Sequence, residues 1–168
     1  MIKVTLKDGS VKEYAKSTTI MDIAKSISEG LARSIVAASV NGEVVGLDFK
    51  VNEDCELNLF KFDDVQGKDV FRHTSAHMLA QAIKRLYPEA KLAIGPSIEN
   101  GFYYDIDLEY RLTPEDLEKI EAEMKKIAKE DLEIERFELT REEAIKLMED
   151  QGESYKVELI SELPEGEI

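Results

Sequence analysis

Apolar and polar side chains alternate over short stretches of the first 62 residues, a pattern typical of β-strands. In residues 2–6 every second side chain is apolar, so one face of this strand points towards a core. Residues 8–10 (Asp-Gly-Ser) predict a turn, and residues 11–15 return as the hairpin partner. The pattern therefore predicts that the chain begins with an antiparallel hairpin.

A helix is predicted after this hairpin. Thr19 is a candidate N-cap, because its hydroxyl can accept a hydrogen bond from the first turn, and Gly30 marks the expected end. The apolar positions between them fall on one stripe at helical spacing: Ile20, Ile23, Ala24 and Ile27. This helix has one face suited to packing on a sheet.

Later strands complete the first module. Residues 36–40 lead into Asn41-Gly42, a pair that favours a two-residue hairpin turn, and apolar side chains share one face of residues 55–59. The order indicates a small sheet wrapped over one helix, a ubiquitin-like β-grasp. We expect Cys55 to be a core residue. As the single cysteine, it excludes an internal disulfide and fits a reducing cytoplasm.

A polar stretch, residues 63–69, separates this module from a second one and is interpreted as a linker. The expected organisation is residues 1–62, the linker, and residues 70–168. The second module begins with a helix whose apolar positions share one face: Phe71, Ser75, Met78, Leu79, Ala82 and Leu86. Strands at residues 91–94 and 102–108 are predicted to follow.

The rest of the second module alternates between predicted helices and strands. Thr113 begins a helix with proline and acids in its first turn, and residues 132–139 are predicted as a strand. Thr140 has the spacing of a capping box, and its helix is expected to end near Gly152. Residues 155–160 are predicted as a last strand. The expected fold class is α+β throughout.

The two histidines of the sequence, His73 and His77, lie four positions apart on the helix. At this spacing both project from nearly the opposite face to the apolar one, so they are not packing residues. Three interpretations stay open. They are a zinc site needing further ligands, a pair that transfers protons or positions water, or an exposed pair without a role. Residue 74 is Thr, so the glutamate of a His-Glu-x-x-His protease is missing.

Charge limits the partners of the chain. The formal net charge is −14, from 36 acidic and 22 basic residues, and such a surface repels a phosphate backbone. We expect weak or no nucleic-acid binding by this chain alone, unless Lys84, Arg85 and Lys91 form a local basic patch. The sequence has no run of about 18 apolar residues and no apolar stretch at its N-terminus, so we expect no membrane span.

Residues 72–107, with the histidine pair and the Gly-Phe-Tyr-Tyr-Asp sequence of residues 101–105, closely resemble the start of the editing domain of bacterial-type threonyl-tRNA synthetases. Residues 152–160 resemble a later strand of that domain. The first 62 residues are similar to the TGS domain of the same family. The resemblance implies a TGS β-grasp domain followed by the first part of an α+β editing domain.

The resemblance also implies site residues. His73 and His77 would be catalytic and would hold the terminal adenosine and the attacking water. Tyr104 and Lys156 match substrate-binding positions, and no metal is expected among these residues. For Tyr104 a half-buried packing role is the alternative, and for Lys156 an exposed strand lysine. In the family, a later segment with a cysteine and a histidine completes the pocket, and the residues after Ile160 do not supply them.

The implied activity belongs to a longer enzyme of which this chain would be an N-terminal fragment. That enzyme would be a cytoplasmic, homodimeric ligase that joins threonine to tRNA(Thr) with ATP and hydrolyses mischarged seryl-tRNA(Thr). The fragment itself would be inactive and needs no cofactor, whereas ATP, Mg and Zn belong to the absent catalytic core. The alternatives are a TGS-type RNA- or protein-binding module and a free-standing trans-editing protein.

Overall fold

The structure is a computed structural model that describes residues 1–164, and the chain divides into two units. The first unit comprises Met1–Arg72 and the second begins at His73. The end of the predicted second module, residues 165–168, lies outside the described residues.

The first unit contains a mixed five-stranded sheet in the order β2-β1-β7-β4-β5, a second, two-stranded pairing of β3 with β6, and two short helices. Its elements are Ile2–Leu6 (β1), Val11–Tyr14 (β2), Thr18–Thr19 (β3), Ile20–Ile27 (α1), Glu29–Ala32 (α2), Ile35–Val40 (β4), Glu43–Val45 (β5), Lys50–Val51 (β6) and Cys55–Lys61 (β7). β1 runs parallel to β7, and the other neighbours in the five-stranded sheet are antiparallel.

One core joins the helix to the sheet in this unit. It contains the alternating side chains of β1 and β7 together with the apolar stripe of α1: Ile2, Val4, Ile20, Ile23, Ala38, Val51, Cys55 and Leu57. The expected β-grasp arrangement, with the sheet packed against α1, is confirmed. Burial, followed by the nearby carboxylates of Asp54 and Glu53, raises the pKa of the Cys55 thiol. Cys55 is buried in the core, as expected, and its raised pKa disfavours the thiolate form.

Local capping accounts for the helices of the first unit. The Thr19 hydroxyl accepts a hydrogen bond from the Asp22 N–H, which confirms the predicted N-cap. The end predicted near Gly30 is wrong. α1 ends at Ile27 because Ser28 adopts an extended conformation and caps α2, with its hydroxyl accepting from the N–H groups of Gly30 and Leu31.

The helix Val65–Leu86 (α3) begins earlier than the sequence predicted. Residues 65–69 of the expected linker are helical, which corrects the interpretation of that stretch as irregular. The Asp64 carboxylate accepts a hydrogen bond from the Lys61 N–H, and the Lys68 N–H donates to the Asp64 carbonyl oxygen. The first bond holds Asp64 to the end of β7, and the second closes the first turn of the helix, so a polar sequence suffices to begin it.

The second unit consists of short strand pairs and helices. Its elements after α3 are Lys91–Leu92 (β8), Ser97–Ile98 (β9), Gly101–Phe102 (β10), Ile106–Asp107 (β11), Pro114–Glu130 (α4), Arg141–Asp150 (α5) and Ser154–Ser161 (α6). β8 pairs with β11 and β9 with β10, both antiparallel. α3 packs on β8 and α4 through one core: Ala80, Ala82, Ile83, Ala90, Leu92, Ile120 and Ile127. The predicted α+β class is confirmed.

Two predicted helix starts in this unit are confirmed in detail. At both Thr113 and Thr140 the threonine hydroxyl accepts from the backbone of the residue three positions on, and that residue's carboxylate accepts from the threonine N–H. Asp116 closes the first box and Glu143 the second. Both capping boxes depend only on residues within one turn. The sequence predicted the box at Thr140, and at Thr113 it predicted the helix start without the reciprocal bond of Asp116.

Two predicted strands are wrong. Residues 132–139 have no regular secondary structure and are largely exposed, because no described strand pairs with them. Residues 155–160 lie within α6, a helix. A short apolar run fits either a buried strand or a helix, and a helix satisfies its backbone hydrogen bonds without a neighbouring strand. The same finding corrects the resemblance of residues 152–160 to a strand.

Each helix within residues 1–164 is too short or too polar to cross a membrane.

Candidate active site

The buried face of α3 is centred differently from the predicted one. Ala82 is buried and Met78, Leu79 and Leu86 pack against the core, as expected, but Phe71 is 49% exposed and contacts Phe62 edge-on in the first unit. Fully buried positions that the apolar pattern missed are Ala76, Ala80 and Ile83. The two alanines contribute little to a hydropathy pattern, and only tertiary packing shows how closely they approach the core. Ile83 is large and apolar, and the predicted stripe was placed to one side of it.

The two histidines lie on the exposed side of α3, as their spacing predicted. Their Nε2 atoms are 3.0 Å apart, and the rings meet edge to face with centroids 4.6 Å apart. In such a bond one Nε2–H donates and the other Nε2 accepts, so the pair holds a single proton between the rings. The two imidazoles therefore form one proton-sharing unit.

The surroundings of the His77 imidazole change its pKa. Partial burial of the ring, followed by the positive charges of His73 and Lys156, lowers the pKa of His77 below its ordinary value. At neutral pH the ring is uncharged and has a lone pair available. It is suited to accept a proton from water.

Two cavities of the second unit share His77 and Gln81 in their linings. The larger one has a volume of about 630 Å³ and a mainly apolar lining, to which His73, His77 and Gln81 contribute. Its apolar lining consists of Met78, Ile127, Ala128, Leu132 and Ile134. The smaller one, of about 430 Å³, is lined by His77 and Gln81 together with polar residues of α3, α6 and the turn before α6. His77 thus faces both cavities.

Lys156 lines the smaller cavity with His77, so the structure brings these two predicted site residues together. The lysine lies on the first turn of α6, not on a strand as expected. An ammonium group beside a neutral imidazole can offset negative charge that develops on a carbonyl oxygen during attack by water. The pair can therefore support hydrolysis of an ester.

Tyr104 lies away from the two cavities that the other predicted site residues line. It is half-buried, packs against the core of the second unit, and is not among the described residues that line either cavity. Burial, followed by the charge of Glu153, raises the pKa of its hydroxyl. This position favours the packing interpretation, and a substrate-binding role for Tyr104 stays a prediction.

Glu153 is a site residue that the sequence did not reveal. It is 3% exposed, lines the smaller cavity, and forms an ion pair with Lys84 at 3.0 Å. In a chain with 36 acidic residues, one glutamate after a glycine carries no distinguishing signal. Burial of its side chain, which only the structure shows, distinguishes Glu153 from the exposed acidic residues.

The local basic patch considered for nucleic-acid binding is largely neutralised within the second unit. Lys84 pairs with Glu153, and Arg85 pairs with Glu130 at 2.8 Å and Glu123 at 3.1 Å. Two of the three patch residues are therefore committed to carboxylates of their own chain. Lys91 is exposed on β8.

A zinc site at the histidine pair would need donors from outside the described residues. Within residues 1–164, no group of three or more histidine, cysteine, aspartate or glutamate side chains is arranged to hold a metal ion. Two imidazoles alone do not make the four-coordinate site that zinc prefers. The geometry of the described residues thus gives no support to the zinc interpretation.

Comparisons with known proteins agree with the resemblance seen in the sequence. A family model described as the TGS domain matches residues 2–61. The whole chain is 79% identical to threonine–tRNA ligase of Clostridioides difficile, and 60% identical to that of Clostridium tetani. Over 99% of the chain, it is 65% identical to threonine–tRNA ligase of Acetivibrio thermocellus.

The chain spans about a quarter of these relatives, 26% of the length of each. The match is continuous through both units, so the TGS domain and the histidine-bearing unit occur together in those proteins. The whole chain is therefore homologous to the N-terminal region of threonine–tRNA ligases and carries a TGS domain at residues 2–61.

Proposed function

We propose that this chain is the N-terminal region of a threonine–tRNA ligase and that its second unit hydrolyses mischarged seryl-tRNA(Thr). The full enzyme joins threonine to tRNA(Thr) with ATP. Identity of 79% over the whole chain to a threonine–tRNA ligase supports the first part. The second part depends mainly on one observation, the His73–His77 pair, of which His77 lines two cavities.

A physical limit on selectivity explains why such an enzyme needs a second site. Threonine and serine differ by one methyl group, and an apolar contact of that size is worth only about 1–3 kcal/mol of discrimination. A synthetic site can demand a hydroxyl but cannot fully reject the smaller serine. A separate hydrolytic site that excludes the threonine methyl removes the error after transfer.

The reaction follows from the chemistry of the pair. Water attacks the carbonyl carbon of the seryl ester while the ring nitrogen of His77 that is not bonded to His73 accepts its proton. The His77 Nε2–H then donates to the Nε2 atom of His73, which stabilises the positive charge on the His77 ring. The Lys156 ammonium offsets the negative charge on the carbonyl oxygen. The ester C–O bond then breaks, and the ribose oxygen takes up a proton, so the products are serine and tRNA.

Other groups of the full enzyme are assigned to residues outside this chain. ATP, Mg and Zn would serve the ligase reaction, and no step described above needs them. The partner would be the acceptor end of tRNA(Thr), and the enzyme would be a cytoplasmic homodimer. This chain by itself would bind nucleic acid weakly and would not be an efficient enzyme.

The proposal is tested in the full-length ligase with His73→Ala and His77→Ala. Each substitution removes half of the proton-sharing pair, and loss of a general base typically costs about 10²–10⁴-fold in rate. We expect seryl-tRNA(Thr) deacylation to fall by that amount while formation of threonyl-tRNA is unchanged. Lys125→Ala, on the solvent side of α4 where Lys125 is 70% exposed, is the matched control.

Unchanged deacylation in both histidine variants would show that the second unit has another role. A binding module without editing activity predicts this result together with a loss of tRNA affinity in a ligase that lacks the unit. A free-standing trans-editing protein instead predicts that the 168-residue chain deacylates as fast as the full ligase.

A further inference from the structure

A buried ion pair ties three parts of the second unit together. The Glu153 carboxylate accepts from the Lys84 ammonium at 3.0 Å and from the Leu92 N–H at 3.3 Å. The same ammonium also donates to the carbonyl oxygens of Pro88, at 3.0 Å, and Ala90, at 2.8 Å. All three donors of the ammonium are used, so the pair has one well-defined geometry. It links α3, β8 and the residue that precedes α6.

The helix that carries Lys156 packs on α5 and contacts β8. No residue of α6 is buried, and its N-cap, Glu153, makes no side-chain capping bond because its carboxylate points to Lys84. Tyr155 donates from its hydroxyl to Asp107 at 2.9 Å at the protein surface. The buried Glu153 carboxylate is therefore the deepest attachment of the start of α6.

Lys156 lies three residues after Glu153, on the first turn of α6, and both side chains line the smaller cavity with His77. A shift of the N-terminal end of α6 would move Lys156 relative to His77. Without the Glu153 carboxylate, the start of α6 loses its bonds to the Lys84 ammonium and the Leu92 N–H, and with them its hydrogen-bonded attachment to α3 and β8. The position of Lys156 is thus mechanically coupled to the Lys84–Glu153 pair.

We propose that Glu153, held by Lys84, is a positioning residue of the hydrolytic site: the buried pair fixes the start of α6 so that Lys156 faces His77. The inference rests on the proposed function, because Lys156 and His77 must act in the same reaction. Glu153 does not itself contact the reacting ester. Its effect on the reaction passes through Lys156.

A double-mutant cycle in the full-length ligase tests this coupling. Glu153→Ala should lower kcat for seryl-tRNA(Thr) deacylation roughly 10- to 100-fold, the size of effect that a misplacement of about 1 Å produces, and leave threonylation unchanged. In a Lys156→Ala background the same substitution should cost less than about twofold, because there is no ammonium left to misplace. A general loss of structure would instead multiply the two effects.

Two further variants make the cycle decisive. Glu153→Gln keeps acceptors for Lys84 and Leu92 without the charge, so its deacylation rate should lie between those of the wild type and Glu153→Ala. If Glu153→Ala does not fold, the Gln variant is used in the cycle. Arg85→Met is the matched control, since Arg85 follows Lys84 on α3 but pairs with Glu123 and Glu130 of α4 and not with α6. It should retain wild-type deacylation.

The outcomes separate the inference from the proposed function. Wild-type rates in both Glu153 variants, or losses that multiply fully with that of Lys156→Ala, would overturn the positioning role. If His77→Ala and Lys156→Ala themselves leave deacylation unchanged, the proposed function fails, whatever the Glu153 variants do.

Discussion

At the scale of single residues, the proposed hydrolysis centres on His77. Its ring bonds to His73 on one side, and it lines both cavities. Partial burial is the largest cause of its lowered pKa, ahead of the charges of His73 and Lys156. A neutral imidazole next to a lysine is the state that water activation requires.

An NMR titration of the imidazole signals measures the protonation state of His77 directly. We expect His77 to titrate below the ordinary histidine pKa of about 6.5, and to move upward in Lys156→Met because one of the lowering charges is removed. The native state then binds the His77 proton more weakly than the unfolded chain does. The stability that the neutral ring contributes is present above about pH 6.5 and is lost as the pH falls through the lowered pKa.

A His77 pKa at or above that of an unfolded peptide would contradict the burial argument. Lys125→Met is the control for the titration, because it removes a lysine that is 70% exposed on α4. Its His77 signal should match that of the wild type.

At the scale of elements, the beginning of α3 depends on a close approach that only glycine permits. A Cβ added at Gly67 would lie 1.8 Å from the Lys61 carbonyl oxygen, a backbone atom that cannot move aside. The helix therefore starts at Val65 with its first turn against the end of β7. The glycine that suggested a linker is the residue that allows the helix to pack there.

Gly67→Ala should therefore destabilise the first unit. Overpacking typically costs about 1–3 kcal/mol, and the better helix propensity of alanine returns at most about 1 kcal/mol of that. Urea unfolding of the chain, followed by amide NMR signals of β1 and β7, measures the free energy of unfolding of this unit. Gly30→Ala is the matched control, because its Cβ would meet only the Ser28 hydroxyl at an ordinary 3.5 Å. Equal stability of the two variants would rule out the close-approach argument.

At the scale of the whole molecule, charge separates this chain from proteins that bind nucleic acid by themselves. The net charge is −14, and Lys84 and Arg85 are paired with carboxylates of the second unit. Recognition of tRNA by the full ligase would therefore depend on basic surface elsewhere in the longer protein.

A salt titration of tRNA binding to the 168-residue chain checks this. Non-specific binders usually have a Kd of about 10⁻⁴–10⁻⁶ M at physiological salt. We expect this chain to bind more weakly than that range, with a shallow dependence on salt because few phosphates are neutralised. Lys91→Glu, which alters the third residue of the basic patch, should change little. Tight, steeply salt-dependent binding that Lys91→Glu abolishes would instead favour an RNA-binding module.

Elements that depend on a few neighbouring residues were predictable from the sequence. The capping boxes at Thr113 and Thr140, the strands at either end of the β-grasp and the exposed face of the histidine pair all follow from spacing within one or two turns. The burial of Cys55 was predictable because a lone cysteine on an apolar strand face is most often a core residue. Local hydrogen bonds and side-chain periodicity decide these features.

Features that depend on contacts between distant segments were decided only by the tertiary structure. Residues 154–161 form a helix and residues 132–139 form no regular element, because a strand requires a partner whose presence the local pattern cannot reveal. The start of α3 depends on the approach of Gly67 to Lys61, and the burial of Glu153 depends on Lys84, which is distant in sequence. The amino-acid sequence by itself determined the two-module order, the local caps and the paired imidazoles. Packing between distant segments decided which carboxylate is buried and where Lys156 lies. The free energy of such packing arises only when the folded chain brings those segments into contact.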